Sequence, residues 1–254
     1  MGNTHSAQII PSNSVATKFA IGIIDVQNDF CKGGKLAVEE ADHAIGAINK
    51  LRYIYDDYTK CFISQDWHNE NHMSFASRHG KDPNTGPFKL NLQMEDGSTI
   101  EVDQMMWPKH CVENTTGSLI HRDLIVTKND KIIKKGTKVN VESYSAFGDA
   151  MQGKYEKTQL HDWLQLHGIT DIILTGIATD YCVYNTALDA LRLGYKVHLI
   201  YSCTRGVAKE SIDKAYTDMK TKGVTFYKTV DEFHDLTRNT IVGNDPIARY
   251  TPIK

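Results

Sequence analysis

Short apolar runs alternate along this chain with longer stretches whose apolar residues recur at helical spacing. The strand-like runs lie at residues 19–24, 61–64, 131–134, 171–175, 197–201 and 224–227. The helix-like stretches lie at residues 37–55, 160–167 and 209–222, and in the segment that begins near residue 182. Strands that alternate with helices pair in parallel, because each helix returns the chain to the edge where the next strand begins. The sequence therefore predicts an α/β fold with a mainly parallel sheet and helices on both faces, in a Rossmann-like three-layer arrangement.

Two segments do not follow this alternation. Residues 1–17 are rich in Ser, Asn and Thr and contain no Lys or Arg, which predicts a disordered tail. Residues 88–107 surround the turn signal Glu95-Asp96-Gly97-Ser98, which predicts a hairpin. No repeat or low-complexity linker interrupts the rest. We therefore expect one domain over residues 18–254, with a hairpin insertion at about residues 81–106 that could act as a lid or as an oligomer contact.

The first residues also match a lipidation pattern. Met1-Gly2 followed by Ser6 fits N-terminal myristoylation, although so short a pattern also arises by chance. A single myristoyl chain without a basic cluster binds membranes only weakly. The sequence therefore predicts at most a weak membrane contact through this end of the chain.

Charge and cysteine content exclude several classes of protein. The formal net charge is −2, so the charge balance predicts no nucleic-acid partner. The five cysteines, at positions 31, 61, 111, 182 and 203, show no paired spacing. No apolar run is as long as a membrane span. We therefore expect free thiols in a reducing compartment, the cytoplasm, rather than a disulfide framework.

Chemically reactive side chains follow four of the predicted strands. Asp25 follows the first strand, Asp66 and His68 follow the second, Lys135 follows the third, and Cys182 follows the fourth. In open α/β sheets the functional residues collect beyond the carboxyl ends of the strands. We therefore expect these five side chains to lie together at one edge of the sheet, although they are far apart in sequence.

A thiol, a carboxylate and an ammonium form a coherent set for amide hydrolysis. A helix N-terminus and a nearby lysine would stabilise the thiolate of Cys182, and Asp25 could act as general base and then as general acid. Each residue also has an ordinary interpretation. Cys182 could be an inert buried thiol, Asp25 could cap a turn, and Lys135 could be a solvated charge. Their shared position at strand ends favours the catalytic interpretation.

The Asp66-x-His68 pair suggests a metal site. Carboxylate and imidazole suit Zn²⁺, Mn²⁺ or Fe²⁺, and two groups that are two residues apart can project together from the end of a strand. A third ligand must come from elsewhere in the chain, and His72, His79 and His110 are candidates. Three protein ligands leave positions for water or substrate, as in catalytic sites. The ordinary interpretation is a pair of residues in an exposed loop.

Six motifs resemble the nicotinamidase family of the isochorismatase-like hydrolases, and they occur in the order of that family. They are D-V-Q-N-D-F at 25–30, D-W-H-N-E-N-H-M-S-F-A-S-R-H-G at 66–80, W-P-K-H-C-V at 107–112, K-G at 135–136, S-Y-S-A-F at 143–147 and G-I-A-T-D-Y-C-V at 176–183. The resemblance covers residues 19–227. It implies an isochorismatase-like fold and hydrolysis of nicotinamide to nicotinate and ammonia through a thioester, a step in salvage of the pyridine ring for NAD.

The same resemblance assigns roles to individual residues. It implies a catalytic triad of Asp25, Lys135 and Cys182. It implies that one divalent metal ion, Zn²⁺ first and Mn²⁺ or Fe²⁺ as alternatives, is held by Asp66, His68 and His110. It implies an aromatic pocket wall of Phe30, Trp107 and Tyr144. It also implies an oxyanion hole formed by the backbone amides of Ala178 and Cys182, with a cis peptide bond before Ala178. His72 stays outside this set.

Two other functions compete with this one. A related isochorismatase-like amidase could act on another small amide, but such an enzyme would not need the complete set of metal ligands. A catalytically inactive relative could act as a binding protein, but no residue of the triad has been lost. We therefore expect an active nicotinamidase that takes nicotinamide as a small-molecule substrate and assembles as a homo-oligomer.

Overall fold

The computed structural model describes residues 17–149 and 153–243. Almost all of the predicted tail, and with it the myristoylation pattern at Gly2, lies outside the described residues. The division of the chain into a tail of residues 1–17 and a single domain of residues 18–254 stays a prediction. Within the described segments, no helix has the length and apolar character needed to cross a membrane.

A six-stranded parallel sheet forms the centre of the fold. Its strands are β1 (Phe19–Ile24), β2 (Lys60–Asp66), β5 (Lys131–Lys135), β6 (Asp171–Ile177), β7 (Lys196–Arg205) and β8 (Thr225–Tyr227). They pair in the order β5-β2-β1-β6-β7-β8. Strand β1 therefore lies in the middle of the sheet. Strands β2 and β5 lie on one side of it, and β6, β7 and β8 lie on the other. The carboxyl ends of β1, β2, β5 and β6 lie at one edge.

Helices cover both faces of this sheet, as the sequence predicts. They are α1 (Ala41–Tyr55), α2 (Leu160–Leu166), α3 (Tyr184–Arg192), α4 (Lys209–Thr221) and α5 (Val230–Ile241). Residues of α1 and α5 pack with Ile21 and Ile23 in one buried cluster. Residues of α2, α3 and α4 pack with Ala20 and Ile24 in the other. Alternate residues of β1 thus enter opposite cores, as the two-residue period of a strand requires.

Strands β3 (Thr85–Gln93) and β4 (Thr99–Met106) form an antiparallel hairpin that is separate from the main sheet. The pairing is regular from Phe88 to Gln93 and shifts register between Thr85 and Phe88, next to the cis bond of Gly86-Pro87. Leu92 and Met94 pack against Met73 and Val141 in a small third cluster. The hairpin therefore lies on the loops that follow β2 and β5.

The start of α1 and the whole of α5 depart from the prediction. Helix α1 begins at Ala41 rather than at residue 37, because Glu40 has a left-handed backbone with φ 56°. Cys182 lies near the start of a helix, as predicted, but in a π-helical turn at Thr179–Val183 that leads into α3. Helix α5 was not predicted. Its first turn is capped by the Thr229 side chain, which accepts a hydrogen bond from Glu232 N.

Candidate active site

Three of the four strand ends bring Asp25, Lys135 and Cys182 together. The ammonium of Lys135 lies 2.9 Å from the Asp25 carboxylate and 3.4 Å from the Cys182 sulfur. Lys135 and Asp25 are fully buried, and Cys182 is 5% exposed. Lys135 also donates a hydrogen bond to Ser143 O at 3.1 Å. The arrangement holds a cation between a carboxylate and a thiol, with little freedom for the lysine to move away.

Lys135 also contacts a second carboxylate, because it donates a hydrogen bond to Asp66. Burial opposes the charge of Lys135, but Asp25 and Asp66 outweigh burial and raise its pKa well above the usual value. The two carboxyls differ: burial raises the pKa of Asp25, whereas Lys135 and His68 overcome burial and lower that of Asp66. Two adjacent carboxyls with opposite shifts are suited to different tasks, one to proton transfer and the other to binding a cation.

The pKa of Cys182 departs from the prediction. Lys135 lowers it as expected, but burial is the larger effect and, together with Asp25 and Asp66, raises the pKa well above the usual value. Burial therefore favours the thiol form of Cys182 over the thiolate. A thiol in this place needs a base at the moment of attack, and a carboxylate oxygen of Asp25 lies within 4.8 Å of the sulfur.

Asp25 is fixed from the opposite side by β2. The Asp25 carboxylate accepts a hydrogen bond of 2.7 Å from the Ser64 hydroxyl. The Asp25 backbone N–H donates to Ser64 Oγ at 3.2 Å. The residue has a positive φ of 48°, which turns the chain sharply at the end of β1. Ser64 is a supporting residue that the sequence analysis missed, since a Ser inside a strand carries no signal of its own.

Asp66, His68 and His110 form the second cluster at this edge. The Asp66 carboxylate lies 3.5 Å from His68 Nε2 and 3.8 Å from His110 Nε2. The other ring nitrogen of each histidine faces a carbonyl: His68 Nδ1 lies 2.9 Å from Gly136 O, and His110 Nδ1 lies 2.8 Å from Pro108 O. A protonated Nδ1 that donates to a carbonyl leaves Nε2 with a free lone pair. The donor set therefore fits a divalent metal ion.

The pKa values of the two histidines differ. Burial lowers the pKa of His110 to about 4, which keeps its imidazole neutral. For His68, burial is outweighed by Asp66, and the pKa rises to about 9. A metal ion at this cluster therefore competes with one proton at His68.

Gly136 allows His68 to take this position. Its φ is +63°, and a Cβ at this residue would lie 2.4 Å from the His68 ring. The Gly136 and Thr137 amides both donate to the buried Glu156 carboxylate, at 2.9 and 2.8 Å. The loop after β5 is thus held where its carbonyl can orient His68, and Glu156 is a supporting residue that sequence reasoning missed.

The other two candidate histidines have different partners. His72 stacks on His68 with ring centroids 4.1 Å apart, but its ring nitrogens contact Ser74 Oγ at 2.8 Å and Val141 O at 2.9 Å. His79 Nε2 lies 2.7 Å from Met73 O. Neither residue belongs to the cluster formed by Asp66, His68 and His110. The structure thus groups His110 with both Asp66 and His68, whereas His72 forms a separate group with His68 and Glu142.

A narrow pocket opens onto both clusters. It is lined by Phe30, Leu36, Val38, Asp66, Trp107, His110, Tyr144, Ala178, Tyr181, Cys182 and Val207. The Trp107 indole donates a hydrogen bond of 3.0 Å to the Tyr144 hydroxyl. Tyr181 packs edge-on against Trp107 at 4.9 Å between centroids. Flat aromatic walls favour contact with a flat ring. Tyr181, next to the nucleophile candidate, is the aromatic that the sequence analysis did not assign.

The turn that carries Cys182 is braced on both sides. The peptide bond between Ile177 and Ala178 is cis, as the resemblance implies. The Thr186 hydroxyl donates to Cys182 O at 2.7 Å and accepts from Ala146 N at 2.9 Å. Asp180 does not line the pocket, and its carboxylate accepts a hydrogen bond from Val207 N at 2.9 Å. These bonds hold the thiol against the loops that supply the pocket walls.

Comparison with known proteins agrees with this fold and site. The isochorismatase domain model matches residues 19–231. The nicotinamidase of Escherichia coli is 43% identical over 215 residues, which cover 84% of this chain and 95% of that protein. The structure of yeast nicotinamidase bound to the inhibitor nicotinaldehyde superposes with a TM-score of 0.75 at 31% identity, covering 83% of this chain and 100% of the yeast chain.

A third relative contains a metal. The pyrazinamidase of Pyrococcus horikoshii in complex with zinc has a TM-score of 0.67 at 31% identity, covering 83% of this chain and 99% of its own. The parallel α/β fold and its relatives define a hydrolase with a site at the carboxyl edge of the sheet. The chain belongs to the isochorismatase domain family, and its relatives place it among the nicotinamidases of that family.

Proposed function

We propose that this protein is a metal-dependent cysteine amidohydrolase that converts nicotinamide to nicotinate and ammonia. The observation that carries the proposal is the meeting of Asp25, Lys135 and Cys182 with the cluster of Asp66, His68 and His110. Cys182, Asp66 and His110 line one aromatic-walled pocket. Asp25, Lys135 and Cys182 are the catalytic residues in this account. Phe30, Trp107 and Tyr144 confine the substrate ring, and Tyr181 closes the wall beside them.

Asp66, His68 and His110 would hold the divalent ion, for which Zn²⁺ is our first choice because imidazole and carboxylate at a three-ligand site suit it. When bound, the ion supplies a Lewis-acidic anchor for the lone pair of the pyridine nitrogen. The pocket walls then restrain the ring so that its carboxamide points to Cys182. Positioning of this kind can supply several kcal/mol of a reaction barrier.

Acylation begins when Asp25 takes the thiol proton of Cys182 as the sulfur attacks the amide carbon. Lys135 stabilises the developing thiolate, since its ammonium lies 3.4 Å from the sulfur. The backbone amides of Ala178 and Cys182 donate to the oxyanion of the tetrahedral adduct. Protonated Asp25 then gives its proton to the amide nitrogen, the C–N bond breaks, and ammonia leaves a thioester on Cys182.

Deacylation uses the same groups, with water as the nucleophile in place of the thiol. Asp25, again a carboxylate, takes a proton from a water molecule that attacks the thioester carbon. The same backbone amides bind the second oxyanion. The C–S bond breaks, Asp25 returns its proton to the sulfur, and the product leaves as nicotinic acid, which loses its proton to become nicotinate. The reaction consumes one water molecule for each amide hydrolysed. The reaction would place the protein in pyridine salvage for NAD. A cytoplasmic location and a homo-oligomeric assembly remain our predictions.

Ammonia release from three amides tests the function directly. Nicotinamide and pyrazinamide both have a ring nitrogen meta to the carboxamide, whereas benzamide has the same shape without it. We expect kcat/KM for benzamide to be lower by about 10²-fold or more, because it cannot use the anchor for the ring nitrogen. His110→Ala should remove most of this preference, and His79→Ala is the matched control that should keep it. Equal efficiency with benzamide, or strong preference for an unrelated amide, would assign the protein to another amidase class.

A further inference from the structure

A second group of metal-ligating side chains lies outside the pocket. It consists of Cys31, Asp42 and His121, and one ligand atom from each lies within 4.8 Å of the other two. The three residues come from separate segments. Cys31 ends the short turn at Asn28–Phe30, Asp42 lies in the first turn of α1, and His121 follows the turn at Thr116–Ser118.

The chemistry of these donors suits a transition metal ion. A thiol with an imidazole and a carboxylate favours Zn²⁺ over Mg²⁺ or Ca²⁺, which prefer oxygen ligands. Cys31 is a free thiol and is fully buried. A fourth group is close by, because the Asp123 carboxylate lies 3.9 Å from His121 Nδ1.

The backbone already holds these groups in place. His121 N donates to Val26 O at 2.9 Å, which fixes the loop against the end of β1. Gly34 N donates to Cys31 O at 2.9 Å, which closes a turn directly after the cysteine. Asp42 is carried by the rigid start of α1. A site assembled in this way loses little conformational entropy when an ion binds.

We propose that Cys31, Asp42 and His121 form a second, Zn²⁺-type metal site, distinct from the pocket cluster, that fastens both ends of the segment between residues 31 and 42. Binding forms a bond from the ion to the Cys31 sulfur and releases the thiol proton to solvent. The Asp123 carboxylate supplies a further oxygen ligand to the ion, or it accepts a hydrogen bond from the His121 ring.

The fastened segment supplies part of the pocket wall. Leu36 and Val38 both line the pocket. Their backbone N–H groups donate to Asp29 O at 3.0 Å and Phe30 O at 2.9 Å. An ion at the second site would therefore stabilise the side of the pocket that faces Trp107 and Tyr144. It would neither bind the substrate nor take part in the reaction.

Cobalt binding to the full-length protein tests the site without relying on activity. A thiolate bound to Co²⁺ gives a near-ultraviolet charge-transfer band, whereas the pocket cluster of Asp66, His68 and His110 contains no thiol. Chelator-stripped wild type should bind two ions per chain and show the band. Cys182→Ala, which removes the pocket thiol, should keep the band, and Cys31→Ser should lose it.

A pair of exposed carboxylates gives the matched comparison. Asp42→Asn should weaken Co²⁺ binding at the second site by about tenfold or more, since it removes a ligand. Glu39→Gln removes the same charge from the same segment and should leave the affinity unchanged. Because both positions are exposed, both variants should fold. One ion per chain in wild type, a band that survives Cys31→Ser, or an unchanged affinity in Asp42→Asn would each overturn the second site.

Discussion

Two buried thiols lie close to the cluster of Asp66, His68 and His110, and of these two only Cys182 lines the pocket. Cys111 directly follows His110 and is fully buried, and Cys182 is 5% exposed. Burial raises the pKa of both. The Cys182 sulfur has Lys135 Nζ at 3.4 Å and lines the pocket. The Cys111 sulfur instead faces Gly117 O at 3.9 Å and packs in the core beneath α1 and α5.

The difference shows that closeness to a metal ligand in sequence does not create a nucleophile. A buried thiol stays protonated in either place, because desolvation penalises the thiolate. Cys182 has what Cys111 lacks: a cation in contact with the sulfur and a position in the pocket lining. The reactivity therefore follows from neighbours that lie at the ends of three other strands.

The largest expected effect separates the two thiols. Cys182→Ala should lower kcat by at least about 10⁴-fold, since the covalent step is lost. Cys111→Ala should keep most of the activity, although its buried cavity will lower the thermal midpoint. Steady-state ammonia release with both purified variants measures this. Similar rates for the two variants would show that the comparison is wrong.

The next effect concerns the base beside Cys182. Asp25→Asn keeps the shape of the side chain and removes its basicity, so kcat should fall by about 10²-fold or more. Burial raises the pKa of Asp25. Wild-type activity should therefore fall as pH decreases through that raised pKa, because the protonated carboxyl cannot accept the thiol proton. The measurement is the pH profile of kcat/KM for wild type and for the residual activity of Asp25→Asn. If the fall in activity at low pH is the same in both, the base is another group.

A pair of glycines tests whether the metal cluster can be disturbed without changing the thiol. Gly136→Ala places a Cβ 2.4 Å from the His68 ring, and metal affinity should fall by roughly 10- to 100-fold. Gly80 has a similar φ of +60° with nothing within 4 Å, so Gly80→Ala carries the same backbone penalty without touching a ligand. Metal titration should distinguish the two, and equal losses would mean that backbone strain alone is responsible.

The smallest effect concerns Lys135 and the thiol. Lys135→Met removes the positive charge in contact with Cys182, so the apparent pKa for alkylation of that thiol should rise by at least about one unit. Lys134→Met changes the neighbouring exposed residue and is the matched control. Iodoacetamide rates against pH, read on the peptide that contains Cys182, give the comparison. Identical profiles for the two variants would remove Lys135 from this role.

The sequence predicted the sheet well, because its strands are short apolar runs bounded by polar residues. All six predicted strands of the main sheet exist, and β1 has the predicted bounds. Helix α5 carries a Thr229-x-x-Glu232 capping signal that we did not use. The start of α1 was missed for a different reason, since the left-handed backbone of Glu40 has no signal in side-chain periodicity.

The site was predictable in part. The rule about strand ends brought Asp25, Asp66, Lys135 and Cys182 together from residue types alone. Spacing could not choose among three histidines, and only the family resemblance selected His110. The π-helical turn at Thr179–Val183 and the supporting bonds of Glu156 depend on contacts between distant loops, so no local pattern contains them. The raised pKa of Cys182 was missed because burial is a property of the fold.

The central claim is that Cys182 forms a thioester with the acyl group of the substrate. Rapid acid quenching of metal-loaded enzyme mixed with nicotinamide, followed by digestion and mass spectrometry, measures this directly. We predict a nicotinoyl group on the peptide that contains Cys182 and an unmodified peptide that contains Cys111. Asp25→Asn should show little or no adduct. Ammonia release by wild type without any adduct on Cys182 under conditions that preserve thioesters, or an adduct on Cys111 instead, would contradict the account.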